Sequence, residues 1–426
     1  MTIANFEEKL QKYAELIVKV GVNVQPGQEV VLYINVEQQH LAHLIVKEAY
    51  KAGAGKVMIK WSDTFAQREF LEHASDEFLE NVPEFAKEEA QYIADHRCCR
   101  ISVMSEDPGA FGGIDQKRVA AYQSANGKAL MPVRQATQNN DLSWTVVAAA
   151  SPAWAERVFP DLKGEAAVDR LWEEIFKTTR IDREDPIQAW KDHDAKLHEK
   201  EDWLNKEQFS ALHYTSPRTD LTIGLPENHV WEGGGSKNAA GIEFMANMPT
   251  EECFTAPDNR RIDGYVTSTK PLSYAGNILE NMKFTFKGGK VVEATAEKGQ
   301  AVLDHLLETD NGVRSLGEVS LVPDPSPISQ SGITFFNTLF DENASDHLAL
   351  GAAYPFNVQG GTKMSEDQLK AKGINFSQAH VDFMVGSADM NIDGIKKDGT
   401  IVPVFRNGDW AKIKKAAICI AAFLCA

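Results

Sequence analysis

The chain has 426 residues, 43 % hydrophobic and 25 % charged, the usage of an ordinary globular protein long enough for a sizeable core and for two domains of about 100–200 residues each. With 44 basic and 61 acidic residues the net charge is −17, which repels phosphate backbones and anionic lipid, so neither nucleic acid nor a membrane is an expected partner. Five irregularly spaced cysteines form neither a disulfide framework nor a Cys-x-x-Cys zinc pair, and residues 1–9 carry no apolar signal core, so the expected location is cytoplasmic.

Asn5, with Glu8 three residues on, is the expected N-cap of a first helix in which Phe6, Leu10, Tyr13, Ile17 and Val20 recur at helical spacing, and Gly21 is placed to end it. Gln25-Pro26-Gly27-Gln28 is a turn leading into residues 30–34, a short apolar run of the kind that forms a buried parallel strand. The alternation continues through a helix over 41–52, a strand over 57–61, a helix over 64–73 and strands over 101–104 and 144–150. This rhythm predicts an α/β unit whose parallel sheet is covered by helices on both faces. Gly53-Ala54-Gly55-Lys56 is read as a helix-to-strand turn and not as a phosphate loop: the glycine spacing is wrong, Val57 stands where Ser or Thr is needed, and the turn follows a helix instead of preceding one. Helices over 152–159 and 165–177, separated at Pro160, and a polar connecting helix over 182–204 lead to a boundary near residue 205.

From Arg218 on, short β-rich runs (221–225, 265–269, 282–286 and 291–296) are separated by Gly, Pro, Asn and Asp, with Lys287-Gly288-Gly289-Lys290 as a hairpin turn. This half is predicted to be α+β and mostly antiparallel. His380-Val381-Asp382 lies in the strand-like run 379–386, where alternation puts His380 and Asp382 on one face. An imidazole beside a carboxylate suits a divalent cation, although the same spacing also arises by chance. Glu251 and Glu252 are flanked by Met248, Pro249, Cys253 and Phe254, which point to burial, and a buried carboxylate needs a partner or a metal. Glu318 is the odd acid in the β-like run 316–322. His347 closes the stretch Asp341-Glu342-Asn343-Ala344-Ser345-Asp346-His347, which by composition alone reads as an exposed polar loop. The other histidines are assigned structural or surface places.

Taken in order, Gly21-Val22-Asn23-Val24-Gln25-Pro26-Gly27, Asn247-Met248-Pro249-Thr250-Glu251-Glu252, Gly317-Glu318-Val319, Asp346-His347-Leu348-Ala349-Leu350-Gly351 and His380-Val381-Asp382-Phe383-Met384 carry a resemblance up to about Trp410. The chain resembles the metallo-aminopeptidases typified by aminopeptidases S, T and II. The resemblance implies a flavodoxin-like N-terminal region, a distinct C-terminal region with the site, and a homodimer enclosing an inner cavity. It implies two divalent metal ions (zinc, cobalt, manganese or magnesium) held by Glu252, Glu318, His347, His380 and Asp382, with Glu318 bridging, and a role for Tyr354. The expected organisation is an α/β domain over 1–205, a catalytic α+β domain over 206–411 and an atypical extension over 412–426.

The expected reaction is release of N-terminal amino acids from peptides with a free N-terminus, by a hydroxide bridging the co-catalytic ions. Glu251 is the candidate proton carrier and Tyr354 the candidate donor to the oxyanion. Two other readings share these residues: a metal-dependent amidohydrolase indifferent to a free α-amine, and a non-catalytic peptide-binding α/β protein that keeps the site.

Overall fold

Four parallel strands form the first sheet, in the order Lys56–Ser62, Glu29–Asn35, Cys99–Met104, Trp144–Ala148. In chain order this is 2-1-3-4, the arrangement of a flavodoxin-like doubly wound sheet. The computed structural model describes residues 3–105, 107–274 and 277–412; the extension expected over 412–426 lies outside the described residues from residue 413 on. The strand Glu29–Asn35 is almost continuously apolar because both of its faces are covered. Val30, Leu32, Ile101 and Val147 join Leu10, Tyr13 and Phe176 in one core, while Val31 packs with Ala90, Ile93 and Val133 on the other side.

The first helix runs Phe6–Leu16 and closes in a wider turn, Ile17–Gly21. The expected cap at Asn5 is not made: its backbone is left-handed, with φ 57°, and its side chain accepts nothing from the helix. Gly53, with φ 100°, sits in the turn between the helix Gln39–Lys51 and the strand Lys56–Ser62, as the rejection of a phosphate loop required. The structure adds the helices Glu84–Asp95, Gln116–Ala129 and Met131–Gln138. The middle one has only Val119 and Tyr122 as bulky apolar residues, too few to show a period.

The second half is built mainly from two antiparallel sheets, beside two short two-stranded ones. The larger has eight strands, from Lys290–Thr295 at one edge to Asp409–Trp410 at the other. The smaller has five, in the order His380–Met384, His347–Gly351, Leu316–Leu321, Cys253–Thr255, Glu232–Gly233. Val319, Leu348, Leu350 and Phe383 on one face of the smaller sheet share a core with Leu221, Ile223, Phe284 and Ile392 of the larger. The Phe284 and Phe383 rings lie 4.8 Å apart in that core. The predicted hairpin is present, with φ 55° at Gly288 and 84° at Gly289, the two left-handed positions such a tight turn requires.

Two features tie the halves together. The helix Pro186–Glu207 starts at Asp185, whose side chain accepts from the Gln188 N–H; it places Trp190 in the N-terminal core and Leu197 and Leu204 in the C-terminal one. Val146 donates to the Ala246 carbonyl at 2.8 Å and its own carbonyl accepts from the Met248 N–H at 3.0 Å. Residues 246–248 thereby dock on the exposed side of the strand Trp144–Ala148 and deliver the chain to Glu252. Among the described residues no helix is long and apolar enough to cross a membrane.

Candidate metal centre

Residues directly opposed in an antiparallel sheet share a face, as do residues two apart along a strand. The registers Ser320↔His347↔Met384 and Glu318↔Ala349↔Asp382 therefore put Glu318, His347, His380 and Asp382 on the face turned away from the second core. Phe254 opposes Ser320, so Glu252, two residues earlier, arrives on the same side. Ala349 lies between Glu318 and Asp382 on the middle strand, and its methyl leaves the space between those two carboxylates open.

The side chains converge. His347 Nε2 is 3.2 Å from Glu252 Oε2 and 3.3 Å from Glu318 Oε1, while His380 Nε2 is 3.5 Å from Glu318 Oε2 and 3.4 Å from Asp382 Oδ1. The donor atoms form two trios, Glu252–Glu318–His347 and Glu318–His380–Asp382, each with its atoms within 4.8 Å of one another. Glu318 belongs to both and turns one oxygen to each.

The residues fit divalent metal. His347 Nδ1 lies 3.3 Å from the Ser345 carbonyl and His380 Nδ1 2.7 Å from the Ala352 carbonyl. A carbonyl only accepts, so each Nδ1 carries a proton and Nε2 is the ring nitrogen turned into the cluster, free to ligate once deprotonated. Asp382 Oδ1 is buried with no hydrogen-bond donor of its own. The donors are oxygen and imidazole nitrogen without thiolate, a set that suits zinc, cobalt, manganese or magnesium.

Electrostatics make the same demand. Burial opposes the His347 imidazolium, yet Glu252 and Glu318 hold its pKa well above the ordinary histidine value. Burial likewise opposes the charge on His380, and Asp382 and Glu318 push it up to about 10. Burial raises the Glu318 carboxyl, whereas Asp382 is held below its usual value because His380 outweighs burial. Three carboxylates in a site this enclosed require positive charge, which protonated histidines or divalent cations supply.

Glu252, Glu318, His380 and Asp382 line a cavity of about 240 Å³ to which the first half contributes Thr137, Asn140 and Trp144. Tyr354 is in its wall, its ring stacked on Phe356 at 5.2 Å and 5.2 Å from the His380 ring. Burial, reinforced by Glu318, keeps the phenol far above its usual pKa, so Tyr354 is a hydrogen-bond donor.

The structure thus brings Glu252, Glu318, His347, His380, Asp382 and Tyr354 together. Glu251 is not brought to the cavity. Its Oε1 accepts from Arg180 Nη2 at 2.7 Å and its Oε2 lies 3.4 Å from His193 Nε2, on the opposite side of the chain from Glu252. Sequence reasoning passed over Glu342, which lines the cavity beside Glu318 and Asp382; burial, then Asp382 and Glu252, hold its carboxyl well above the usual range. It had only a polar-loop context to mark it.

Residues 6–410 match the family model described as thermophilic metalloprotease (M29). The chain belongs to this family. This M29 metalloprotease is similar to aminopeptidase PepS of Streptococcus thermophilus, 56 % identical over 411 residues that cover 96 % of this chain and 100 % of that protein. It is also similar to aminopeptidase AmpS of Bacillus subtilis, 53 % identical over 407 residues covering 96 % and 99 %. Among solved structures, wild-type AmpT from Thermus thermophilus matches with a TM-score of 0.90 at 41 % identity, covering 95 % of this chain and 100 % of that one. Membership makes the chain a metal-dependent hydrolase of peptides, and the expected α/β region followed by a strand-rich region is the fold it shares with AmpT.

Proposed function

We propose that this M29 metalloprotease is an aminopeptidase that releases the N-terminal amino acid of peptides with two divalent ions, one per trio, sharing Glu318. The observation that carries the pair is Glu318 itself, with one oxygen directed at His347 and the other at His380. Glu252 and His347 complete one ligand set, His380 and Asp382 the other. When bound, such a pair supplies a water of lowered pKa and polarises the scissile carbonyl. Tyr354, kept protonated, donates a hydrogen bond to the oxygen of the tetrahedral intermediate. The cavity, at about 240 Å³, is below the ~300–1,000 Å³ common for small-molecule pockets and suits the end of a chain. Its surplus of carboxylates favours a protonated α-amine.

Glu251, tied to Arg180 and His193, acts in this reading as a positioning residue for Glu252. In this reading the two domains divide near residue 205, with the helix Pro186–Glu207 as the joint. The protein works in the cytoplasm, in keeping with the free thiols Cys98, Cys99 and Cys253, and as the homodimer the family resemblance implies. The ions are of the zinc, cobalt, manganese or magnesium type that oxygen and imidazole donors take.

Hydrolysis of aminoacyl-arylamides tests the proposal. Turnover should vanish on chelation, return with metal, and fail on N-acetylated substrates. Equal hydrolysis of acetylated substrates would point to a general amidohydrolase. A folded, metal-loaded protein that binds peptides and releases no amino acid would be a binding protein.

A further inference from the structure

A second cavity, of about 770 Å³, lies outside the metal centre: none of its lining residues lines the metal cavity. Its volume falls within the ~300–1,000 Å³ common for small-molecule pockets. Five of its side chains are basic and four acidic, a positive excess in a chain whose net charge is −17. Salt screens charges beyond about 8 Å, so this local excess, and not the net charge, decides what the cavity attracts.

One buried carboxylate holds two guanidiniums there. Asp258, 3 % exposed, accepts from Arg260 Nε at 2.8 Å and Nη2 at 2.9 Å, and from Arg261 Nε at 2.9 Å. Burial opposes the charge on Asp258, yet the two arginines hold its carboxyl below the usual range. One negative charge thus meets two positive ones. Two glycines make room for this clamp. A Cβ at Gly373, where φ is 90°, would lie 2.2 Å from Asp258 Oδ1, and one at Gly224 would lie 2.6 Å from Arg261 Cβ.

The bonds of the clamp leave donors over. Arg260 Nη1 donates to the Ala371 carbonyl at 2.9 Å, which ties the neighbour of Lys372 to the clamp, and Arg261 Nη2 donates to the Leu225 carbonyl. Lys396 and Lys397 are paired, with Glu207 at 2.7 Å and with Glu227. Among the described residues Arg261 Nη1 has no acceptor, and Lys372 Nζ makes neither a hydrogen bond nor an ion pair. Arg261 is about half exposed at the cavity, its planar fork fixed by Asp258.

We propose that this cavity binds a phosphate group, free or as a phosphomonoester, between Arg261 and Lys372. A guanidinium fork beside a mobile ammonium suits a tetrahedral oxyanion. Two cations match the charge of about −1.5 to −2 that a phosphomonoester carries at pH 7, whereas a single carboxylate leaves one of them uncompensated.

The test titrates the metal-loaded chain calorimetrically with inorganic phosphate and with phenyl phosphate at constant ionic strength. Saturable binding is expected, weakened about 10–100-fold by Lys372→Ala and by Arg261→Lys. Lys372→Ala removes no bond of the fold, so its turnover without phosphate should equal that of wild type. Binding of inorganic phosphate alone would assign the free ion, and binding of both an esterified phosphate. Three results would overturn the site: no saturable binding of either compound, equal affinity in wild type and folded Lys372→Ala (phosphate held by the metal ions instead), or acetate binding as tightly as phosphate.

Discussion

Glu318 is the residue on which both trios depend, and its replacement should behave unlike any other. Glu318→Gln is expected to abolish binding at both positions, whereas Asp382→Asn weakens one, a difference that ion counting reads directly. Tyr354→Phe should keep the ions and lower kcat by about 10²–10³, the usual cost of removing one oxyanion donor. Part of this site was legible in the sequence. Strand alternation alone placed His380 and Asp382 side by side. His347 was not legible from its surroundings, because the polar stretch before it looks solvated; pairing with Leu316–Leu321 and His380–Met384 is what buries it. Glu251 and Glu252 show the opposite difficulty. On an extended chain neighbours point to opposite sides, and only the register with Ser320 says which of the two faces the cluster.

At the scale of elements, the site depends on one strand presenting a small residue between two acids. Ala349→Leu should fill the hollow between Glu318 and Asp382 and abolish ion binding while the sheet stays folded, as circular dichroism and ion counting would show together. The loop carrying Glu252 depends on the ion pair behind it. Glu251→Gln leaves the Arg180 guanidinium, 12 % exposed, without its counter-charge. A loss of about 3–5 kcal/mol in urea unfolding is the expected result. The strands of the first sheet and the Gly288-Gly289 hairpin were readable because apolar runs and turn residues are local signals. The docking of residues 246–248 beside Trp144–Ala148 was not, since it joins segments about 100 residues apart through backbone hydrogen bonds that carry no side-chain pattern.

Across the whole molecule, the helix Pro186–Glu207 belongs to both cores, and its middle carries a titratable joint to the cavity. His198 Nδ1 is 2.7 Å from Glu201 and its Nε2 3.4 Å from Asp194, whose Oδ1 also accepts the Gly235 N–H at 2.6 Å. The hydrogen bond to Glu201 outweighs burial and pushes His198 up to about 8. A histidine raised on folding contributes stability that is full below its ordinary value of 6.5 and is lost as pH climbs through about 8. Glu232, facing the same groups, is pushed up to about 7 by burial and then Glu201, and so loses stability over a lower window, from 4.5 to about 7. The thermal midpoint should therefore fall from pH 6.5 to 8, and His198→Gln should make that fall shallower.

The two-ion reading is tested most directly by titrating chelated protein with one divalent metal while following bound ions and release of the amino acid from an aminoacyl-arylamide. Activity is predicted to rise to a plateau at two ions per chain. Full activity with a single ion bound, or turnover that survives complete removal of metal, would contradict it.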